Sequence, residues 1–109
     1  MSKKMQQFFE DVYGRKIRLT IERQAHLEND HPEMSGQIDK IRETLFRPST
    51  VKRSRTDQAV QLFYRKYQST PVTEKYLCVV VKVLDQDCFI ITAYFTDQIK
   101  RGDLIWRKE

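Results

Sequence analysis

The chain has 109 residues, 39% of them hydrophobic and 32% charged, with a formal net charge of +5 and a pI near 9.3. That length and composition point to one folded domain spanning residues 1–109 and argue against a disordered chain. No apolar run approaches the ~20 residues of a bilayer span and no stretch has signal-peptide character, so a cytoplasmic protein with no membrane partner is expected.

Residues 4–13 carry Met5, Phe8, Phe9 and Val12 and read as a short helix or arm ending at Gly14, the N-terminal part (1–14) of the domain. Residues 16–21 alternate, with Ile17, Leu19 and Ile21 on one side and Arg18 and Thr20 on the other, as in a half-buried strand. Thr20 then caps a short helix that holds His26 and ends near Asp30. Pro32 suits the first turn of a new helix. Its apolar stripe is Met34, Ile38, Ile41 and Leu45, and Pro48 stops it.

A short strand is expected over 50–54 and a turn over 55–58. Three longer strands follow, Val60–Tyr67, Tyr76–Leu84 and Cys88–Phe95. Residues 68–75 form a loop containing Pro71, and 85–87 a tight hairpin turn. The tail from Ile99 to Trp106 is a last short strand or a docking segment. The order implies an α+β fold, with helices packed on one face of a twisted antiparallel sheet. Cys78 and Cys88 fit no zinc spacing and read as reduced thiols, so no metal or other cofactor is expected.

The hairpin sets Val80 opposite Thr92 and Cys78 opposite Tyr94. If the longer loop pairs Tyr67 with Tyr76, Arg65 lies beside Cys78 and Phe63 beside Val80. One face is then almost purely apolar, through Leu62, Tyr64, Leu77, Val79, Val81, Phe89, Ile91 and Ala93. The other face gathers Arg65, Tyr67, Tyr76, Thr92, Tyr94 and Thr96 at one end, with Lys82 and Ile90 further along. A slip of one residue would invert this arrangement.

A guanidinium among phenols and hydroxyls suits a phosphodiester, because Arg bonds phosphate in bidentate fashion and Tyr stacks on bases or donates a hydrogen bond. The positive charge permits a polyanionic partner without requiring one. Residues 47–55 carry four cations and no acid. Lys52, Arg53 and Arg55 from this run, with Lys66 and Lys82, are the expected RNA-contacting residues, although a solvated loop would look the same.

Both histidines of the chain, His26 and His31, lie in one short segment. Metal-free cleavage of RNA needs a base for the 2′-hydroxyl proton, an acid for the leaving 5′-oxygen, and cations for the charge gathering on phosphorus. Histidine serves as either acid or base. On one continuous helix the two rings would point about 140° apart, so the break at Asp30–Pro32 matters. Each also has an ordinary role open to it: His26 as a helix residue satisfied by a carbonyl, His31 as a helix cap or surface residue.

The segments Leu19-Thr20-Ile21-Glu22-Arg23, His26, His31-Pro32-Glu33-Met34, Leu62-Phe63-Tyr64-Arg65-Lys66-Tyr67, Val79-Val80-Val81-Lys82 and Ile91-Thr92-Ala93-Tyr94 carry a resemblance. The run from Lys16 to Trp106 is similar to the phage- and toxin-associated nuclease domains grouped with barnase, EndoU, colicin-type tRNases and RelE. The resemblance implies N-terminal helices on a four-stranded, or slightly larger, antiparallel sheet. It also implies metal-independent cleavage of tRNA or mRNA, and often a toxin restrained by a cognate antitoxin or immunity protein. Its matching positions are His26, His31, Arg65, Tyr67, Thr92 and Tyr94. The function expected is a metal-independent endoribonuclease of a toxin–antitoxin or phage-related module. The alternative is a non-catalytic RNA-, ribosome- or protein-binding module using the same face.

Overall fold

The computed structural model describes residues 6–73 and 75–109. Residues 1–5, where the expected N-terminal arm begins, and Glu74 of the expected loop lie outside them. The chain runs β1 (Gln6–Glu10), β2 (Lys16–Thr20), α1 (Ile21–Asp30), a 3-10 turn (Pro32–Met34), α2 (Ile38–Phe46), β3 (Thr50–Arg53), β4 (Val60–Lys66), β5 (Tyr76–Val83), β6 (Cys88–Thr96) and β7 (Asp103–Arg107). The strands form one seven-stranded sheet in the order β1-β2-β6-β5-β4-β3-β7. Every pairing is antiparallel except β2 with β6. The α+β class holds, with a seven-stranded sheet.

The first expected helix or arm is instead a strand over Gln6–Glu10, paired with β2 from Gln6–Thr20 to Glu10–Lys16. The cause lies in the turn. The Asp11 carboxylate is 1% exposed. Its Oδ1 accepts from the Tyr13 and Arg15 amides at 3.0 and 2.8 Å, and its Oδ2 from Arg15 Nε at 2.7 Å. Gly14 takes the left-handed conformation that closes the turn, with φ 81°. Arg15 Nη2 then donates to Gln61 Oε1 on β4 at 2.8 Å, which ties the hairpin to the far side of the sheet.

Thr20 ends β2 and caps α1, its hydroxyl accepting from the Arg23 amide at 3.0 Å. Leu27 is the residue that α1 buries fully. Helix α2 buries Ile41, Thr44 and Leu45, and Pro48 follows its end. Met34, expected on the same helix as Ile38, sits in the separate 3-10 turn and still reaches the core. These residues join Phe9, Ile17, Leu19, Phe63, Leu77 and Val79 in the main core, so both helices cover one face of the sheet.

The β5–β6 hairpin has the expected register at Cys78–Tyr94 and Val80–Thr92. A bulge then intervenes, and Val81 pairs with Ile90 rather than Ile91. Ile90 therefore faces the helices, and Phe89 the outer side, the reverse of their expected places. β4 also departs from expectation. Leu62 pairs with Val80, Tyr64 with Cys78 and Lys66 with Tyr76, because the loop closes one residue earlier, the Tyr67 amide donating to the Lys75 carbonyl at 2.8 Å. Every side chain of β4 changes face. Phe63 and Arg65 turn toward the helices, and Leu62 and Tyr64 toward the outer side.

The expected last strand forms as β7, next to β3. The chain of antiparallel pairings from β6 through β5, β4 and β3 leaves β7 running in the same direction as β6. Residues 97–102 must therefore cross the outer face as a strap. Ile99 packs on an outer cluster of Leu62, Tyr64 and Cys78, and the Lys100 amide donates to the Tyr64 hydroxyl at 3.1 Å. At Gly102 the strap meets β3 so closely that a Cβ would lie 2.7 Å from the Arg53 carbonyl oxygen. Among the described residues, no helix is long and apolar enough to cross a membrane.

Candidate functional site

Pro32 disfavours helical geometry in the residue before it, and α1 stops at Asp30. His31 leaves the helical conformation (φ −133°, ψ 79°), its amide closing the helix onto the Leu27 carbonyl at 2.8 Å. This break carries the His31 ring to Tyr94 on β6, with centroids 5.4 Å apart and planes tilted by 38°. Nδ1 of His31 lies 3.8 Å from Glu33 Oε2. Tyr94 is an outer-face residue, in register with Cys78 and Tyr64. Thr92 shares that face two positions earlier, opposite Val80. His31, Thr92 and Tyr94 thus belong to one region.

The rest of the expected cluster is elsewhere. His26 is exposed on α1 and makes no hydrogen bond or ring contact among the described residues. Arg65 and Tyr67 lie on the helix side, where they serve α2. Arg65 Nη1 donates to the Arg47 carbonyl at 2.5 Å, and Arg47 is the residue that caps the C-terminus of α2. Arg65 Nε is 3.5 Å from Glu43 Oε1, and the Tyr67 hydroxyl donates to the same oxygen at 2.7 Å. A cation at a helix C-terminus satisfies orphan carbonyls and complements the helix dipole. The geometry thus withdraws Arg65 and Tyr67 from the phosphate-binding cluster expected of them. Arg65→Ala should lower stability by about 1.5–3 kcal/mol, the worth of a charge-assisted hydrogen bond, and leave RNA binding unchanged. Urea unfolding and a filter-binding titration check this, and a binding defect in a stable variant would return Arg65 to the site.

The expected RNA contacts divide in the same way. Lys52, Lys66 and Lys82 share the outer face with Leu62, Tyr76 and Val80. Lys82 is engaged with Asp57 Oδ2 at 2.6 Å, a contact that holds the Asp57 carboxyl below the usual range. Arg53 pairs with Gln61 on the helix-side parity, and the exposed Arg55 is 3.3 Å from Asp103. Exposed ion pairs of this kind are weak and exchange readily for another anion.

Two groups near the site went unrecognised in the sequence. Lys100, on the strap, places Nζ 5.4 Å from the centroid of the Tyr94 ring. Its position depends on the crossover, and no local pattern announces it. Tyr64, assigned by alternation to the helix side, is fully buried beneath the strap and anchors Lys100. The Tyr94 hydroxyl is buried next to the Cys78 thiol without a well-formed hydrogen bond among the described residues. Burial is the main influence on these groups. It raises the Tyr64 and Tyr94 phenols well above the ordinary tyrosine range, with the neighbouring Cys78 adding to both, and it pushes the Cys78 thiol up to about 11.

On the helix side, burial raises the Tyr67 phenol to about 12, with the hydrogen bond to Glu43 adding to the effect. These three phenols stay protonated in the folded chain after those of the unfolded chain have begun to ionise. The stability they contribute is complete below the ordinary tyrosine pKa of about 10 and is lost as pH rises from there through their folded values. The urea midpoint should therefore fall steeply between about pH 10 and 12, and less steeply in Tyr67→Phe. A midpoint flat across that range would contradict the burial of these phenols.

A groove lies on the helix side of the molecule. It measures about 520 Å³ and runs between β1 and α2, lined by Phe8, Phe9, Arg42, Glu43, Phe46 and Arg47 among others. It contains neither histidine. Among the described residues, no group of three or more His, Cys, Asp and Glu side chains is placed to hold a metal ion. No family model, curated protein or solved structure matches the chain.

Proposed function

We propose that the chain is a metal-independent endoribonuclease that takes RNA on the outer face of its sheet. The observation that carries this reading is the His31 ring set against Tyr94 at 5.4 Å, on a face that also presents Thr92 and lysines. In this reading His31 takes the 2′-hydroxyl proton as base and, as the imidazolium so formed, returns it to the leaving 5′-oxygen. The 2′-oxygen bonds to phosphorus, the 5′-oxygen leaves with a proton, and the products are a 2′,3′-cyclic phosphate and a 5′-hydroxyl. Thr92 positions the backbone, the Tyr94 ring holds the His31 ring, and lysines on this face neutralise the charge on phosphorus.

The sequence resemblance to the barnase, EndoU, colicin tRNase and RelE group supports the same reading, since helices cover one face of the sheet and the substrate has the part of the other beside the strap, around His31, Thr92 and Tyr94. A tRNA or mRNA substrate, action as a toxin, and restraint by a cognate antitoxin or immunity protein belong to this proposal. The direct test is cleavage of tRNA and total RNA by pure protein in EDTA, followed by end-group analysis. Intact RNA after prolonged incubation would end the proposal.

One observation favours a second reading. His26 does not join His31, so a single histidine serves this face. A non-catalytic RNA-binding module would need no second proton-transfer group, and it would show salt-sensitive binding without products.

A further inference from the structure

We propose that Lys100 is the phosphate-binding residue of the outer face, delivered there by the strap that joins β6 to β7. The inference rests on the RNA-binding reading above and names the cation that reading needs.

The cation first expected in this role, Arg65, lies on the opposite face and is spent on the C-terminus of α2. Of the outer-face lysines on strands, Lys82 is held by Asp57 at 2.6 Å. Lys66 projects from β4 and Lys52 from β3, two and three strands away from Tyr94 on β6. Lys100 is differently placed. Its Nζ approaches the Tyr94 ring at 5.4 Å, and the His31 ring approaches the same ring at 5.4 Å. A proton-transfer group and a cation therefore share one aromatic neighbour, and their separation cannot exceed the sum of those two distances.

The placement of Lys100 is built into the fold. Its backbone amide is fixed by the fully buried Tyr64, and Ile99 beside it packs on the outer cluster. The tight approach of Gly102 to β3 holds the other end of the strap. The Lys100 side chain is exposed and makes no ion pair among the described residues. An ammonium held by its backbone, resting against a ring rather than a carboxylate, is free to donate to a phosphodiester oxygen. The arrangement resembles a loop lysine acting as a point charge on phosphate more than a bidentate clamp.

The test uses a short single-stranded oligoribonucleotide and its 2′-deoxy counterpart, which cannot undergo 2′-hydroxyl attack. Binding of the 2′-deoxy strand is measured against salt for wild type, Lys100→Ala, Lys100→Arg and, as a charge control on the helix side, Arg42→Gln. Circular dichroism confirms folding, with Lys100→Gln as the substitute if the alanine variant is unstable. Loss of one phosphate contact should weaken binding several-fold and reduce the salt slope by about 0.7, the value for a single strand. Lys100→Arg should restore both, and Arg42→Gln should match wild type. In the cleavable strand Lys100→Ala should lower kcat about 10²-fold.

A Lys100→Ala variant with wild-type affinity and salt slope overturns the proposal, as does a wild type that binds neither strand. If the wild type binds both strands and cleaves neither, the nuclease reading fails. Lys100 then stands or falls on the slope alone.

Discussion

Replacing His31 with alanine should lower the rate of RNA cleavage by about 10²- to 10⁴-fold, the usual contribution of a positioned proton-transfer group. The substitution removes a half-buried ring whose contacts are Tyr94 and a 3.8 Å approach to Glu33. An aromatic contact of this kind is worth about 0.5–1.5 kcal/mol, so the fold should persist. Affinity for the 2′-deoxy strand should change little, because the lysines remain. The His26→Ala variant should cleave as wild type, since that side chain is exposed on α1 and contacts nothing at Tyr94. Single-turnover rates for the two variants decide the matter. A fully active His31→Ala protein would remove the proton-transfer role, and a dead His26→Ala protein would mean that α1 presents its histidine to the substrate after all.

The second large effect is on stability. Phe63→Ala should cost about 3–5 kcal/mol, the range for truncating a buried aromatic, against a total stability of about 5–15 kcal/mol for a typical domain. Phe63 has no exposed surface and stands on β4 between Val51 of β3 and Val79 of β5, under α2. The cost combines lost burial with the cavity left between helix and sheet. The urea midpoint of the purified variant measures it, and a loss below about 1 kcal/mol, ordinary for a surface change, would place Phe63 outside the main core. The measurement bears on function as well, because the parity that buries Phe63 also sends Arg65 to α2 and Tyr64 to the outer face.

Several elements were legible from the chain alone. Ile17 and Leu19 alternate with Arg18 and Thr20, and β2 forms there. Thr20 caps α1 as its position suggests. Ile38, Ile41 and Leu45 recur at helical spacing and mark the face that α2 buries. The β5–β6 hairpin was legible only in part: the turn after Leu84 pairs Val83 with Cys88, one residue off the expected register, and the bulge between Val80 and Val81 brings Cys78 opposite Tyr94. The first segment was not legible. Met5, Phe8, Phe9 and Val12 fit a helical stripe, yet a stretch this short has no committed local preference, and pairing with β2 through the Asp11 turn makes Gln6–Glu10 a strand. β4 was not legible for another reason. It is apolar on both parities, with Leu62 and Tyr64 on one and Phe63 on the other, so alternation specifies its register only weakly.

The same contrast runs through the candidate site. His31 was visible in the sequence because a proline break is a local feature, and Tyr94 reached its expected partner Cys78 through a bulge that alternation does not announce. Lys100 was not visible, since its place beside Tyr94 comes from a strap that spans three intervening strands. By itself the sequence determined the α+β class, the apolar stripe of α2, the existence of the β5–β6 hairpin and the excess of positive charge. These follow from spacing along the chain and from short-range turn chemistry. Only the tertiary structure decided which cation faces the histidine. A strand's two faces are exchanged by a shift of one residue, and that shift was set by how the loop between β4 and β5 closed.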